Sequence, residues 1–135
     1  MIRNQKLMAL VMTACVAATM LTGCGSSAGS KDTYTVGICQ LVQHPALDAA
    51  TQGFKDALTE KLGDKVKFNE QNASGESATC STIVNQFVSS GVDLILANAT
   101  APLQSAAAAT NTIPILGTSD TDYATALDIS DWTGP

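Results

Sequence analysis

Residues 34–62 read as a strand, a short polar loop and an amphipathic helix, and that succession recurs down the chain. Residues 35–39 are a short, mostly apolar run with β-branched side chains, which suits a buried strand. Residues 40–44 are a polar break. Pro45 has no N–H to lose and a preset φ, so it fits the first position of a helix. Leu47, Ala50, Phe54, Leu58 and Leu62 then recur at three- and four-residue steps, one helical face. Gly63 and Asp64 close that helix. A strand feeding a helix in this way is the first half of a βαβ unit, whose ligands bind at the carboxyl end of the strand.

The unit repeats. Val66, Phe68 and Glu70 alternate with polar residues as a second, less buried strand, and residues 71–77 form a polar turn around Gly75. Over 79–90, Ile83, Val84, Phe87 and Val88 share a helical face, and Gly91 stands where a left-handed residue ends a helix. Residues 92–97, VDLILA, are the near-continuous apolar run of a central parallel strand covered on both faces. Residues 98–101 form a loop, and Pro102 opens an alanine-rich helix over 103–110. A fourth strand follows at 113–116, then a polar loop at 117–122 and a short helix at 123–127. This alternation predicts an α/β fold, a doubly wound parallel sheet with helices on both faces and right-handed crossovers. The pattern leaves the strand order open.

The N-terminus does not belong to that fold. Arg3 and Lys6 precede an apolar segment over 7–20, too short for a spanning helix and followed at once by small residues, the layout of an export signal. Its ending, Leu21-Thr22-Gly23-Cys24, resembles the lipobox of bacterial lipoproteins. That resemblance implies removal of residues 1–23 and a diacylglyceryl thioether on Cys24, an anchor to the membrane. Residues 24–33 then read as a flexible linker rich in Gly and Ser. The net charge is −5, and loss of Arg3 and Lys6 makes the remainder more acidic by two charges. An acidic domain without a basic stripe excludes nucleic acid as the expected partner.

The strand ends bring three loops to one rim, 40–44, 98–101 and 118–122. The first two run into helix N-termini, whose free N–H groups and partial positive charge suit a carboxylate or phosphate. Thr100, Thr118 and Ser119 offer hydroxyls, although Thr100 and Ser119 also suit helix capping. Asp48 and Asp122 can hold a cationic group, with capping the plainer role for Asp122. Together these describe a site for a small zwitterion. Enzyme chemistry is not expected. His44 stands near Cys39 and Asp48, but no nucleophile motif, metal-ligand spacing or phosphate-binding glycine loop occurs, and no cofactor is implied. Cys39 and Cys80 remain once Cys15 and Cys24 are assigned to the leader and the lipid. Outside the cytoplasm they either pair or serve as buried small hydrophobes.

The lipobox, the linker, YTVGICQLVQHPALDAATQGFKDAL and GVDLILANATAPLQSAAAATNTIPILGTS together resemble the ABC transporter substrate-binding lipoproteins, in the branch that includes tryptophan- and tyrosine-type binding proteins. The more specific parts are residues 44–48, the strand at 93–95 with Ala99 and Thr100 after it, and residues 113–115. The resemblance implies one lobe of a type I periplasmic-binding-protein fold over 34–130. It also implies capture of a small solute, an amino acid or related zwitterion, for an ABC permease and its ATPase. The rim positions it implies are Gln43, His44, Leu47, Thr100, Ala101, Thr118 and Ser119. Two departures stand out. Relatives often read Val-Thr-Asp-Pro after the fourth strand where this chain has Asp120-Thr121-Asp122-Tyr123. Relatives also carry a second lobe, whereas residues 131–135 are about where the crossover to it begins, so the chain reads as an N-terminal lobe. The competing reading is a lipid-anchored sensor or structural surface lipoprotein with no transport role.

Overall fold

The computed structural model describes residues 31–134. The expected export signal, the expected lipidation site at Cys24 and most of the expected linker lie outside those residues. Within them the alternation is realised as β1 (Tyr34–Gln40), α1 (Pro45–Leu62), β2 (Val66–Asn72), α2 (Ser77–Ser90), β3 (Leu94–Asn98), α3 (Thr100–Ala109), β4 (Ile115–Thr118) and α4 (Tyr123–Leu127). The four strands form one parallel sheet in the order β2-β1-β3-β4. The chain therefore steps outward from β1 to β2, then crosses back to lay β3 on the other side. β1 and β3 flank the point where the winding reverses, and the crevice outside their carboxyl ends is where open α/β sheets bind ligands.

Strand periodicity divides the core into two halves. Val36, Ile38 and Leu96 point to one face, where α1 covers them with Phe54, Leu58 and Leu62. Cys39 and Ile95 point to the other, where α2 and α3 supply Cys80, Ile83, Val84, Phe87 and Ala106. The second half is the tighter. Phe87 is fully buried, and a Cβ at Gly37 would come within 2.6 Å of its ring, so β1 needs glycine at that position. On the first face only Thr51 of α1 is fully buried, and Leu116 of β4 is 46% exposed. One helix covers this side of the sheet, and β4 lies beyond it.

Several element ends differ from the sequence reading for physical reasons. Pro45 does open α1, and Gly91 does end α2 with left-handed backbone (φ 68, ψ 45), its N–H reaching the carbonyls of Phe87 and Val88. The third strand, however, starts at Leu94 and includes Asn98, which pairs with both Gln40 and Thr118. A polar residue ended the expected strand, yet Asn98 is fully buried. The third helix begins at Thr100 rather than Pro102; its first closing bond is Leu103 N–H to Ala99 O at 3.1 Å, so the missing N–H of Pro102 costs nothing. The fourth strand runs two residues later than expected, because Gly117 and Thr118 continue the pairing with Ala97 and Asn98.

Asp93 fixes the opposite, amino-terminal end of the sheet. Its carboxylate accepts the Thr35 N–H at 2.8 Å and pairs with the Lys31 ammonium. The Lys31 contact, then the Thr35 N–H, hold this carboxyl below its ordinary value of 3.8. A depressed folded value stabilises the fold above the unfolded value and is lost as pH falls through the folded one. The expected result is a melting temperature that drops as pH falls below about 3.8, with a shallower drop in Asp93→Asn. Circular dichroism melts across that range check it.

Candidate functional site

A buried polar network lies beneath the reversal point. Gln40 and Asn98 are the last residues of β1 and β3, are partners in register, and both point toward α1. Asn98 Nδ2 donates to Leu47 O at 2.8 Å, to Thr51 Oγ1 at 2.9 Å and, longer, to Gln40 Oε1 at 3.4 Å. The Thr51 hydroxyl donates to Gln40 Oε1 at 2.7 Å, and Gln40 Nε2 donates to Asp48 Oδ1 at 2.6 Å and to Val42 O at 3.0 Å. Each donor meets an acceptor, so the orientation of both amides is fixed. Within this network, Asn98 Oδ1 is the oxygen buried without a hydrogen-bond partner. The network pins the first turns of α1 to the two central strand ends. It therefore sets where the loop between them, with Gln43 and His44, can lie.

Backbone strain marks the same rim. Ser74, Ala99 and Ser119 have φ of 55, 108 and 58, and each follows the carboxyl end of β2, β3 or β4. At Ala99, with ψ 169, the backbone is in a region that essentially only glycine occupies. Such strain costs on the order of 1–3 kcal/mol and clusters at functional sites. Here it turns the chain sharply from β3 into α3, while Ala99 N–H still reaches Thr118 O at 3.0 Å. Ala99→Gly is expected to raise stability by about 1 kcal/mol, the strain relieved less the extra chain entropy of glycine. Urea denaturation checks this.

The structure sorts the residues expected at the rim. Gln43 lines an open groove of about 610 Å³ at the carboxyl ends of β1 and β2, with Gln40, Val42, Asp48, Glu70 and Asn72. His44 is exposed and caps α1, its Nδ1 accepting the Ala46 N–H at 3.2 Å, so one of that helix's free donors is already used. The Leu47 carbonyl is held by Asn98, which makes this residue part of the support. Thr100 and Ala101 open α3; the Ala101 side chain packs inward against the α2–α3 core, leaving its backbone N–H as its contribution to a site. Thr118 is half-buried at the end of β4, and Ser119 is exposed beside it. Thr100, Thr118 and Ser119 thus stand on the β3–β4 side, apart from the groove lined by Gln43.

The carboxylates also separate by commitment. Asp122 caps α4, with one oxygen on the Thr125 N–H at 3.1 Å and the other on the Thr125 hydroxyl at 2.7 Å. The hydroxyl, then the N–H, lower its pKa. Asp48 is bound to Gln40. Asp120 accepts the Asp122 N–H through Oδ1, while its Oδ2 is enclosed with no partner. Sequence reasoning passed over Gln40, Thr51, Asn98 and Asp120. The available signals were a polar residue closing each apolar strand and a threonine set among the inward positions of α1. A shallow depression on the outer side of α2, at Asn85 and Gln86, lies away from the strand ends. Among the described residues no group of His, Cys, Asp and Glu is placed to hold a metal ion.

A parallel α/β lobe with a polar, strained rim at its reversal point is the architecture of the periplasmic solute-binding proteins. Residues 35–135 match the family model described as ABC transporter substrate binding protein, and the chain belongs to that family. It is 39% identical over 136 aligned positions to a tyrosine-binding protein of Clostridioides difficile, covering 90% of this chain and 39% of that protein. Among solved structures, a ligand-free, open substrate-binding protein with adhesive properties from Clostridium difficile is 40% identical at a TM-score of 0.67. That match covers 70% of this chain and 33% of the other. A Streptococcus pneumonia ABC domain in complex with L-Trp is 33% identical at a TM-score of 0.68, covering 73% of this chain and 34% of the other. A conserved domain protein from Vibrio cholerae is 39% identical at 0.68, with 70% and 33% covered. The chain thus spans between a third and two-fifths of the relatives it matches. Among its described residues no helix is long and apolar enough to cross a membrane.

Proposed function

We propose that this chain supplies one wall of an extracytoplasmic solute-binding site that serves an ABC importer, and that the solute is an α-amino acid. The observation that carries the reading is the arrangement of Thr100, Thr118 and Ser119 with the open start of α3, set on strained backbone at the β3–β4 rim. The N–H groups of Thr100 and Ala101, with the Thr100 hydroxyl, suit a carboxylate. The unpartnered oxygen of Asp120 suits an ammonium. This oxygen is enclosed as the 118–122 loop now lies, so the loop must shift to admit a ligand. The tyrosine-binding relative and the relative holding L-Trp support an amino acid over a sugar.

A solute held by two lobes is wrapped on both sides, and closure signals to the permease. One lobe offers half of those contacts, so binding to this chain by itself is weak. The lipid on Cys24 would hold the protein at the outer membrane–water boundary next to its permease, and Cys24→Ala should then leave the membrane fraction. The direct test is amide chemical-shift mapping with L-tyrosine, L-tryptophan and glucose at millimolar concentration. Shifts at Thr100, Ala101, Ser119 and Asp120 with amino acids alone, lost in Asp120→Asn, are the expected result. Shifts confined to other surfaces, or equal shifts with glucose, overturn it.

A further inference from the structure

We propose that Cys39 and Cys80 are joined by a disulfide bond in the exported protein, a covalent tie between β1 and α2 behind the rim. The proposal rests on the extracytoplasmic setting of the preceding section, because only an oxidising compartment sustains such a bond. Cys39 precedes Gln40 in β1 and so points to the opposite face, toward α2. Cys80 is the fourth residue of α2, on the inward stripe with Ile83, Val84 and Phe87. Both are fully buried and belong to one core cluster, Cys39 on the β1 face that α2 covers and Cys80 on the α2 stripe that covers it. Both are free thiols in this structure. Two core thiols far apart would serve as small hydrophobes, but here a strand and the helix packed on it each turn a cysteine into the same buried cluster, which sets the pair to join as α2 docks.

Burial governs when the bond forms. Burial first, and then repulsion from a Cys80 thiolate, push the Cys39 thiol up to about 12, and burial raises Cys80 as well. The thiolate is the reacting species, so the folded pair is inert toward exchange. The bond therefore forms while α2 is still docking onto β1. Two S–H bonds break and one S–S bond forms. The two electrons and two protons pass to the disulfide of an exported thiol–disulfide oxidoreductase, which leaves as a dithiol. Once α2 is seated, the same burial shields the bond from reductants.

No Lys or Arg lies between Lys67 and Pro135, so trypsin leaves Cys39 in peptide 32–55 and Cys80 in the separate peptide that begins at residue 68. The test isolates the protein from cell envelopes, alkylates it in denaturant without reductant and maps the digest. Expected are the two peptides joined, neither cysteine alkylated, and a melting temperature that falls by on the order of 10 °C when the protein is reduced and refolded. Cys80→Ala should leave Cys39 alkylated. Envelope protein with both cysteines alkylated overturns the disulfide itself. Protein recovered only from the cytoplasm overturns the export reading, and the proposal with it. Refolding with oxidised glutathione separates the two: a link formed there shows that the pair geometry is sound whatever the compartment.

Discussion

Phe87→Ala is expected to destabilise the fold by about 3–5 kcal/mol. The side chain heads the fully buried large residues, sits on the α2 stripe and covers Gly37 in the central strand β1. Because a Cβ at Gly37 would approach the ring to 2.6 Å, ring and glycine are two parts of one packing solution. Truncating the ring leaves a cavity against a strand that carries no side chain to fill it, so relaxation recovers little. The converse change, Gly37→Ala, forces the ring aside and should cost about 1–3 kcal/mol. Together the two should cost less than their sum, since the added methyl occupies the space the ring has left. Urea denaturation of the four proteins, with unchanged slopes, checks both the size and the sign of that coupling. Additive losses would mean that Phe87 is held by other contacts.

The half of the fold that could be read in the sequence is the half fixed locally. The α1 stripe, the proline at its start and the glycine after α2 act within a few residues of themselves, and each stands where its chemistry placed it. The apolar run of β3 was equally plain. What could not be read depends on partners distant in the chain. Asn98 looks like the first residue of a loop until Gln40, Leu47 and Thr51 are brought around it. Asp122 caps α4 as its place before a short helix suggested, but the tie of Asp48 to Gln40 and the oxygen that Asp120 keeps to spare have no local mark. The order of the strands is nonlocal in the same sense. It is that order which makes Gln40 and Asn98 neighbours at the reversal point.

Asn98→Asp tests that neighbourhood most sharply. The Nδ2 group it replaces faces three oxygens, those of Leu47, Thr51 and Gln40. A carboxylate there has no proton to offer any of them and is fully enclosed. Losing the donor leaves buried acceptors unpaired, and the charge adds its own desolvation cost, for a total of about 3–5 kcal/mol at pH 7. The pH dependence distinguishes the charge from mere loss of packing. Burial raises the folded pKa of the new carboxyl above its unfolded value near about 3.9. The penalty therefore applies in full above the folded pKa and shrinks as pH falls through it toward the unfolded value. In that window the variant gains stability relative to the wild type, opposite in sign to the Asp93 contribution. Asn98→Ala loses the same hydrogen bonds without that dependence. Paired melts of the two variants across the acid range decide the point. If they run parallel, Asn98 is open to water and the network does not pin α1. If they diverge, the start of α1 and the loop carrying Gln43 and His44 are held by a dry hydrogen-bonded knot at the reversal point. The position of this wall of the site would then depend on a residue that need not touch the solute.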